Sequence, residues 1–136
     1  AFNIDPVFDY GYQTNAQGQY DFLMSVGDFI HTDGVTKIRI YDVTKDGVSM
    51  TPVLDESDYV YELFDTVVNT VSKGSGYVAD EAAFKIIPAK KIHDGLSDHL
   101  GTTTIGSNVN YVDYADAEDS APGSYTSTIT IRIKAV

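Results

Sequence analysis

The sequence predicts a mainly β protein, an antiparallel β-sandwich with one or two short helices. Three observations predict it. Both ends of the chain alternate apolar and polar residues, the signature of a ribbon wet on one face and buried on the other. Turn signals recur at short intervals: Asn15 to Gly18, Asp33-Gly34, Asp46-Gly47, Gly74 to Gly76, Gly106-Ser107 and Pro122-Gly123. The segments between them are rich in Val, Ile, Thr, Tyr and Phe, which favour a pleated, half-buried surface.

Taken in order, Phe2, Ile4, Phe8, Tyr10 and Tyr12 share one parity of the first strand, with Asn3, Asp5, Asp9 and Gln13 on the other. In the next, Tyr20, Phe22, Met24 and Val26 alternate with Asp21, Ser25 and Gly27. Thr36 to Val43 reads as a strand with Ile38 and Ile40 on one face and Lys37 and Arg39 on the other. Asp46-Gly47 then marks a hairpin, because both central positions of the favoured turn need positive φ. Val48 to Leu54 is a further strand, with Pro52 at an edge or a bulge. The stretch 60–71 carries two signals. Val60, Leu63, Phe64, Val67, Val68 and Val71 have helical spacing behind acidic Asp55, Glu56 and Asp58, yet its composition and its surroundings favour strand. Asp80 to Ile87 is a second helical candidate, stopped by Pro88. Ala89 to Gly101 reads as a long connection with one helical turn, and Asn108 to Tyr114 as a strand. The last strand sets Tyr125, Ile129, Ile131 and Ile133 against Thr126, Thr128, Thr130, Arg132 and Lys134.

A length of 136 residues is that of one domain, and 43% hydrophobic with 21% charged residues is the composition of a folded chain. Twenty acidic against 9 basic side chains give a formal charge of -11. That sign excludes nucleic acid as a partner, since its binders need a basic footprint, and disfavours anionic lipid. The absence of cysteine removes disulfides, zinc–thiolate sites and cysteine nucleophiles. No run approaches the roughly 18 apolar residues of a membrane span, so no membrane insertion is expected. Nor is there a signal-peptide pattern, and the start at Ala1 is that of a processed or trimmed chain.

The chemical constellations are weak. Gly74, Gly76 and Ala79 fit a dinucleotide-type glycine motif but lack the βαβ context it needs. His93 with Asp94 and Asp98 with His99 offer imidazole and carboxylate to a metal, with no third histidine at ligand spacing. Asp113, Asp116, Glu118 and Asp119 offer oxygens to calcium without the spacing of an EF-hand loop. His31, before Thr32 and Asp33, reads as a turn residue. No cofactor and no catalytic residue is expected, and the protein is read as a non-enzyme.

The final segment, Ala121-Pro-Gly-Ser-Tyr-Thr-Ser-Thr-Ile-Thr-Ile-Arg-Ile-Lys, resembles the last strand of pilins assembled by the chaperone–usher pathway, where a small-residue turn leads into an alternating terminal strand. Asp5-Pro6-Val7-Phe8-Asp9, His31-Thr32-Asp33 and Lys37-Ile38-Arg39-Ile40 look like early segments of the colonization-factor (class 5) major pilins. The resemblance implies an incomplete Ig-like sandwich that lacks one strand and takes it from a neighbour. Residues 1–12 would then be a donor-type strand on a 13–136 sandwich. Phe2, Ile4, Phe8 and Tyr10 would be its donor side chains, and Tyr125, Ile129, Ile131 and Ile133 would line the acceptor groove. Only Phe2 and Ile4 precede Asp5-Pro6 here, where those pilins have a longer segment. The implied partner is the protein itself, in a head-to-tail homopolymer on the cell surface. A periplasmic assembly chaperone, an outer-membrane usher and a host receptor or glycan are further implied partners. Two alternatives stand beside this expectation: a self-contained carbohydrate- or receptor-binding module of adhesin type, and a filament subunit outside the chaperone–usher route.

Overall fold

Period-two alternation builds eleven strands in the computed structural model, which describes residues 5–69, 77–99 and 111–136. The strands are β1 (Val7–Thr14), β2 (Gly18–Val26), β3 (Phe29–His31), β4 (Lys37–Ile38), β5 (Ile40–Lys45), β6 (Val48–Ser49), β7 (Val53–Asp55), β8 (Asp58–Asn69), β9 (Val78–Pro88), β10 (Tyr125–Thr126) and β11 (Ile129–Ala135). They form one sheet ordered β1-β9-β5-β6, a second ordered β11-β2-β8-β7 and a small third ordered β10-β3-β4, with every strand pair antiparallel. The sandwich class read from the sequence is the one observed. Among the described residues, helix is limited to two 3-10 turns, Ser97–His99 and Ala117–Asp119.

The core lies between the two larger sheets. Phe22, Met24 and Val26 of β2, Leu63, Phe64 and Val67 of β8, and Phe84 and Ile86 of β9 are all buried in it. Aromatic rings interlock the sheets: Tyr12 stacks on Phe22 at 4.6 Å and Phe64 meets Tyr12 edge-on at 4.9 Å, while within the first sheet Phe8 stacks on its register partner Phe84 at 5.4 Å. Such pairs add about 0.5–1.5 kcal/mol each beyond the area they bury.

The stretch 60–71 is strand as far as Asn69; residues 70 and 71 lie outside the described residues, as do Gly74, Gly76 and positions 108–110. Its helical spacing has a local cause. Against β2, β8 pairs Tyr20 with Val67, then Phe22 with Phe64, then Leu23 with Glu62, so the register slips twice. Each slip places an extra residue on β8, and each such bulge changes which parity faces inward. Buried positions therefore fall at Val60, Tyr61, Leu63, Phe64 and Val67, an interval close to a helical turn.

Asp80 to Ile87, the second helical candidate, is strand β9 instead. Ala82, Phe84 and Ile86 point into the core while β1 and β5 bond along the two edges of β9, and this tertiary pairing overrides the helix propensity of its Ala, Glu and Lys. Thr36 to Val43 is two strands. The chain leaves the small sheet at Arg39 to join β9, and Arg39, expected on the wet face, is 2% exposed. Val48 to Leu54 divides in the same way about buried Pro52. Of Asn108 to Tyr114, the described part is a turn with a single parallel bridge from Tyr114 to Lys37.

The Asp46-Gly47 hairpin forms as its sequence demands, with φ of 49° and 83° and Lys45 facing Val48. No atom lies within 4 Å of where a Gly47 side chain would begin, so a substitution there meets backbone strain alone. Gly47→Ala is expected to lower stability by about 1–2 kcal/mol. Urea titration should show a lower midpoint with an unchanged slope.

Candidate functional site

The feature that sets this sandwich apart is the contrast between its two flanks. On one flank the sheets end in β6 and β7, strands of 2 and 3 residues. Very short edge strands are a standard protection against pairing with another chain. On the other flank they end in β1 and β11, of 8 and 7 residues.

Residue chemistry fixes what β11 presents. Thr128 accepts a hydrogen bond from the Gly27 amide at 2.8 Å, and the Val136 amide donates to the Gln19 carbonyl at 3.0 Å. In an antiparallel ladder, bonding to one neighbour involves alternate residues. The even-numbered residues of β11 thus bond to β2, while the amides and carbonyls of Ile129, Ile131, Ile133 and Ala135 point away from it. Among the described residues, nothing pairs with that outer edge. The same isoleucines carry the core-facing side chains. Ile129 and Ile131 are half-buried and Ile133 is 58% exposed, so the row loses cover along the strand. The cause is lateral offset: Tyr10 and Tyr12 of β1 lie over Phe22 and Phe64, on β2 and β8, which leaves β11 beyond the facing sheet.

On the opposite face of β11, Arg132 and Lys134 both pair with the Asp55 carboxylate, Lys134 at 3.3 Å. Surface pairs of this kind are worth about 0–1 kcal/mol. They fix the two basic side chains against β7 and leave the outer edge of the strand clear. The edge of β1 has the same construction: the Ile86 amide donates to the Pro6 carbonyl at 2.9 Å, so the backbone groups of Val7, Asp9, Gly11 and Gln13 face outward.

The residues expected to form a donor and an acceptor are distributed differently. Phe8 and Tyr10 are packed on the core of their own chain, because β1 runs unbroken from Val7 to Thr14 in register with β9. The expected boundary between residues 12 and 13 falls inside that strand. Phe2 and Ile4 lie outside the described residues. Tyr125 is separated from the isoleucine row: it sits in β10, opposite His31, with its ring edge-on to that imidazole at 4.9 Å. The chain breaks between them at Ser127, whose hydroxyl donates to the Gly27 carbonyl. Ile129, Ile131 and Ile133 do line one edge together.

Buried polar groups form a second assembly that the sequence reading missed. Arg39 donates through Nη1 to the Ile92 carbonyl at 3.1 Å and through Nη2 to that of Leu96, while its Nε is buried without a partner. Close by, the Tyr61 hydroxyl bonds His99 Nδ1. Burial, reinforced by Asp42 and Asp98, holds the Tyr61 phenol above its usual range. Burial, with a contribution from Arg39, holds the His99 imidazole below its own, against the opposing pull of Asp42 and Asp98. Both groups are therefore neutral at pH 7. His93 stands apart, exposed against the Tyr111 ring at 4.9 Å. Asp116 and Glu118 of the acidic loop hold the 89–96 loop, Asp116 accepting the Ile92 amide at 2.7 Å and Glu118 pairing with Lys91. Among the described residues, no group of three or more His, Asp or Glu is placed to hold a metal ion. No family model, no curated protein and no solved structure matches the chain.

Two outcomes test this geometry. In the monomer, amide hydrogen exchange along β11 should alternate, fast at Ile129, Ile131 and Ile133 and slow at Thr130, Arg132 and Lys134; uniform protection would show the edge to be covered. His99 supplies the second. Its folded pKa lies below the unfolded value of about 6.5, so the unfolded chain binds the proton first as pH falls. His99 therefore costs stability as pH drops below about 6.5. His99→Gln, which keeps a hydrogen-bonding group beside Tyr61, should flatten the fall in thermal midpoint between about pH 7 and pH 5; parallel slopes would remove His99 from that response.

Proposed function

We propose that this chain is a non-enzymatic structural subunit of an extracellular filament, in which the open edge of β11 receives an extended segment from the next copy. The observation that carries the reading is the coincidence, on one strand, of outward-facing backbone groups and an under-covered isoleucine row at Ile129, Ile131 and Ile133. Strand addition needs both: main-chain bonds supply affinity, and alternate side chains supply fit. The proposed occupant is the leading segment, residues 1–5, of a second copy. Phe2 and Ile4 have the spacing to match an isoleucine row, and they precede Pro6, whose carbonyl accepts the Ile86 amide of β9. A head-to-tail contact of this kind does not close on itself and so propagates. The likeness of the terminal strand to chaperone–usher pilins brings in a periplasmic chaperone and an outer-membrane usher as assembly partners.

A self-contained binding module is the second reading, and the self-docked β1 favours it. Assembly separates the two. Negative-stain microscopy and sedimentation at rising concentration should show filaments for the intact chain. Deletion of residues 1–5 should abolish them while leaving the thermal midpoint of the monomer unchanged. A monomer at every concentration, or filaments that survive the deletion, would refute the strand-lending account.

A further inference from the structure

A cleft of about 440 Å³ opens where β5, on the far side of β9 from β1, meets the loop that follows β9; it is lined by Tyr41, Ile87, Pro88, Lys90, Asp94 and Gly95. Its floor is apolar: Pro88 is buried, Ile87 half-buried, and Tyr41 keeps 43% of its surface open. Its rim is polar. Among the described residues, the Tyr41 hydroxyl, the Lys90 ammonium and the Asp94 carboxylate have no protein partner.

The loop that carries this rim is held with unusual firmness. Arg39 is buried to grip the carbonyls of Ile92 and Leu96, a position that costs desolvation and leaves its Nε unbonded. Asp116 takes the Ile92 amide, and the amides of Ala117 and Glu118 donate to the carbonyls of Ala89 and Lys90. Gly95 fits against Tyr41 at φ 77°; a Cβ there would stand 2.9 Å from the ring and 3.0 Å from the Tyr41 carbonyl. A surface loop needs none of this merely to connect two strands. Fixing it in advance lowers the ordering cost of binding.

We propose that this cleft binds a neutral saccharide, with the C–H face of a pyranose against Tyr41 and its hydroxyls bonded by Asp94 and Lys90. The chemistry selects that class. One free cation and one free anion cancel, so a net charge on the ligand gains nothing locally, and the overall charge of -11 repels anions. A polyhydroxylated ring donates to the carboxylate and accepts from the ammonium while covering the aromatic face. The site is independent of the β1 and β11 edges, so it operates in a monomer or a filament alike.

The test is a titration of the isotope-labelled full chain, followed by amide NMR, with the methyl glycosides of galactose, glucose and mannose and with N-acetylglucosamine. At least one should shift the amides of Tyr41, Lys90, Asp94 and Gly95, with a dissociation constant on the order of 1 mM. Asp94→Asn and Tyr41→Ala should each weaken it by about tenfold or more. Both side chains are exposed, and unchanged spectra elsewhere verify the fold of each variant. Three results would overturn the proposal: no sugar moves these amides; the shifts survive both substitutions; or free glycine, a zwitterion matched to the two charges, moves them while the sugars do not.

Discussion

The interlock of Tyr10 and Tyr12 with Phe22 and Phe64 is the constraint on which the architecture depends. It clamps the first strand to the two central strands of the facing sheet and, in doing so, sets the lateral offset of the sheets. A strand bonded along eight residues and anchored by three aromatic rings is not a loose arm. In this structure β1 is paired within its own chain from Val7 to Thr14.

The same offset creates the exposed flank. With β1 placed over β2 and β8, β11 has, among the described residues, a neighbour on one side only and an incomplete roof. Natural sheets usually shorten, charge or bend such edges. Here β6 and β7 are shortened while β1 and β11 are left long, and the basic residues of β11 are turned onto Asp55, away from the edge. The asymmetry concentrates free pairing capacity on one side of the molecule.

Alternation made much of this legible. The first strand, β2, the Asp46-Gly47 hairpin and the isoleucine row of β11 could all be read from parity and turn chemistry, because each depends on neighbours in sequence. What was misread depends on contacts distant in sequence. The bulges of β8 shift its inward parity and imitate a helix, and β9 is strand because β1 and β5 flank it. Arg39 looked solvated on a one-sheet reading, yet the chain crosses between sheets at that residue and draws it inside. Phe8 and Tyr10, expected as donor side chains, pack on the core of their own chain in this structure, because an apolar parity shows that a face is buried, not in which copy. The cleft beside Tyr41 had no sequence signal, since Tyr41 and Asp94 are brought together by contacts distant in sequence, the grip of Arg39 and of the 116–118 turn on the loop.

That grip has an evolutionary consequence. Arg39 recognises the carbonyl oxygens of Ile92 and Leu96, groups every amino acid possesses, and not their side chains. Substitutions at Lys90, Asp94 or Leu96 would therefore leave the anchor intact. The loop's shape is held through main-chain groups, so the side chains on its surface can change without loss of the anchor.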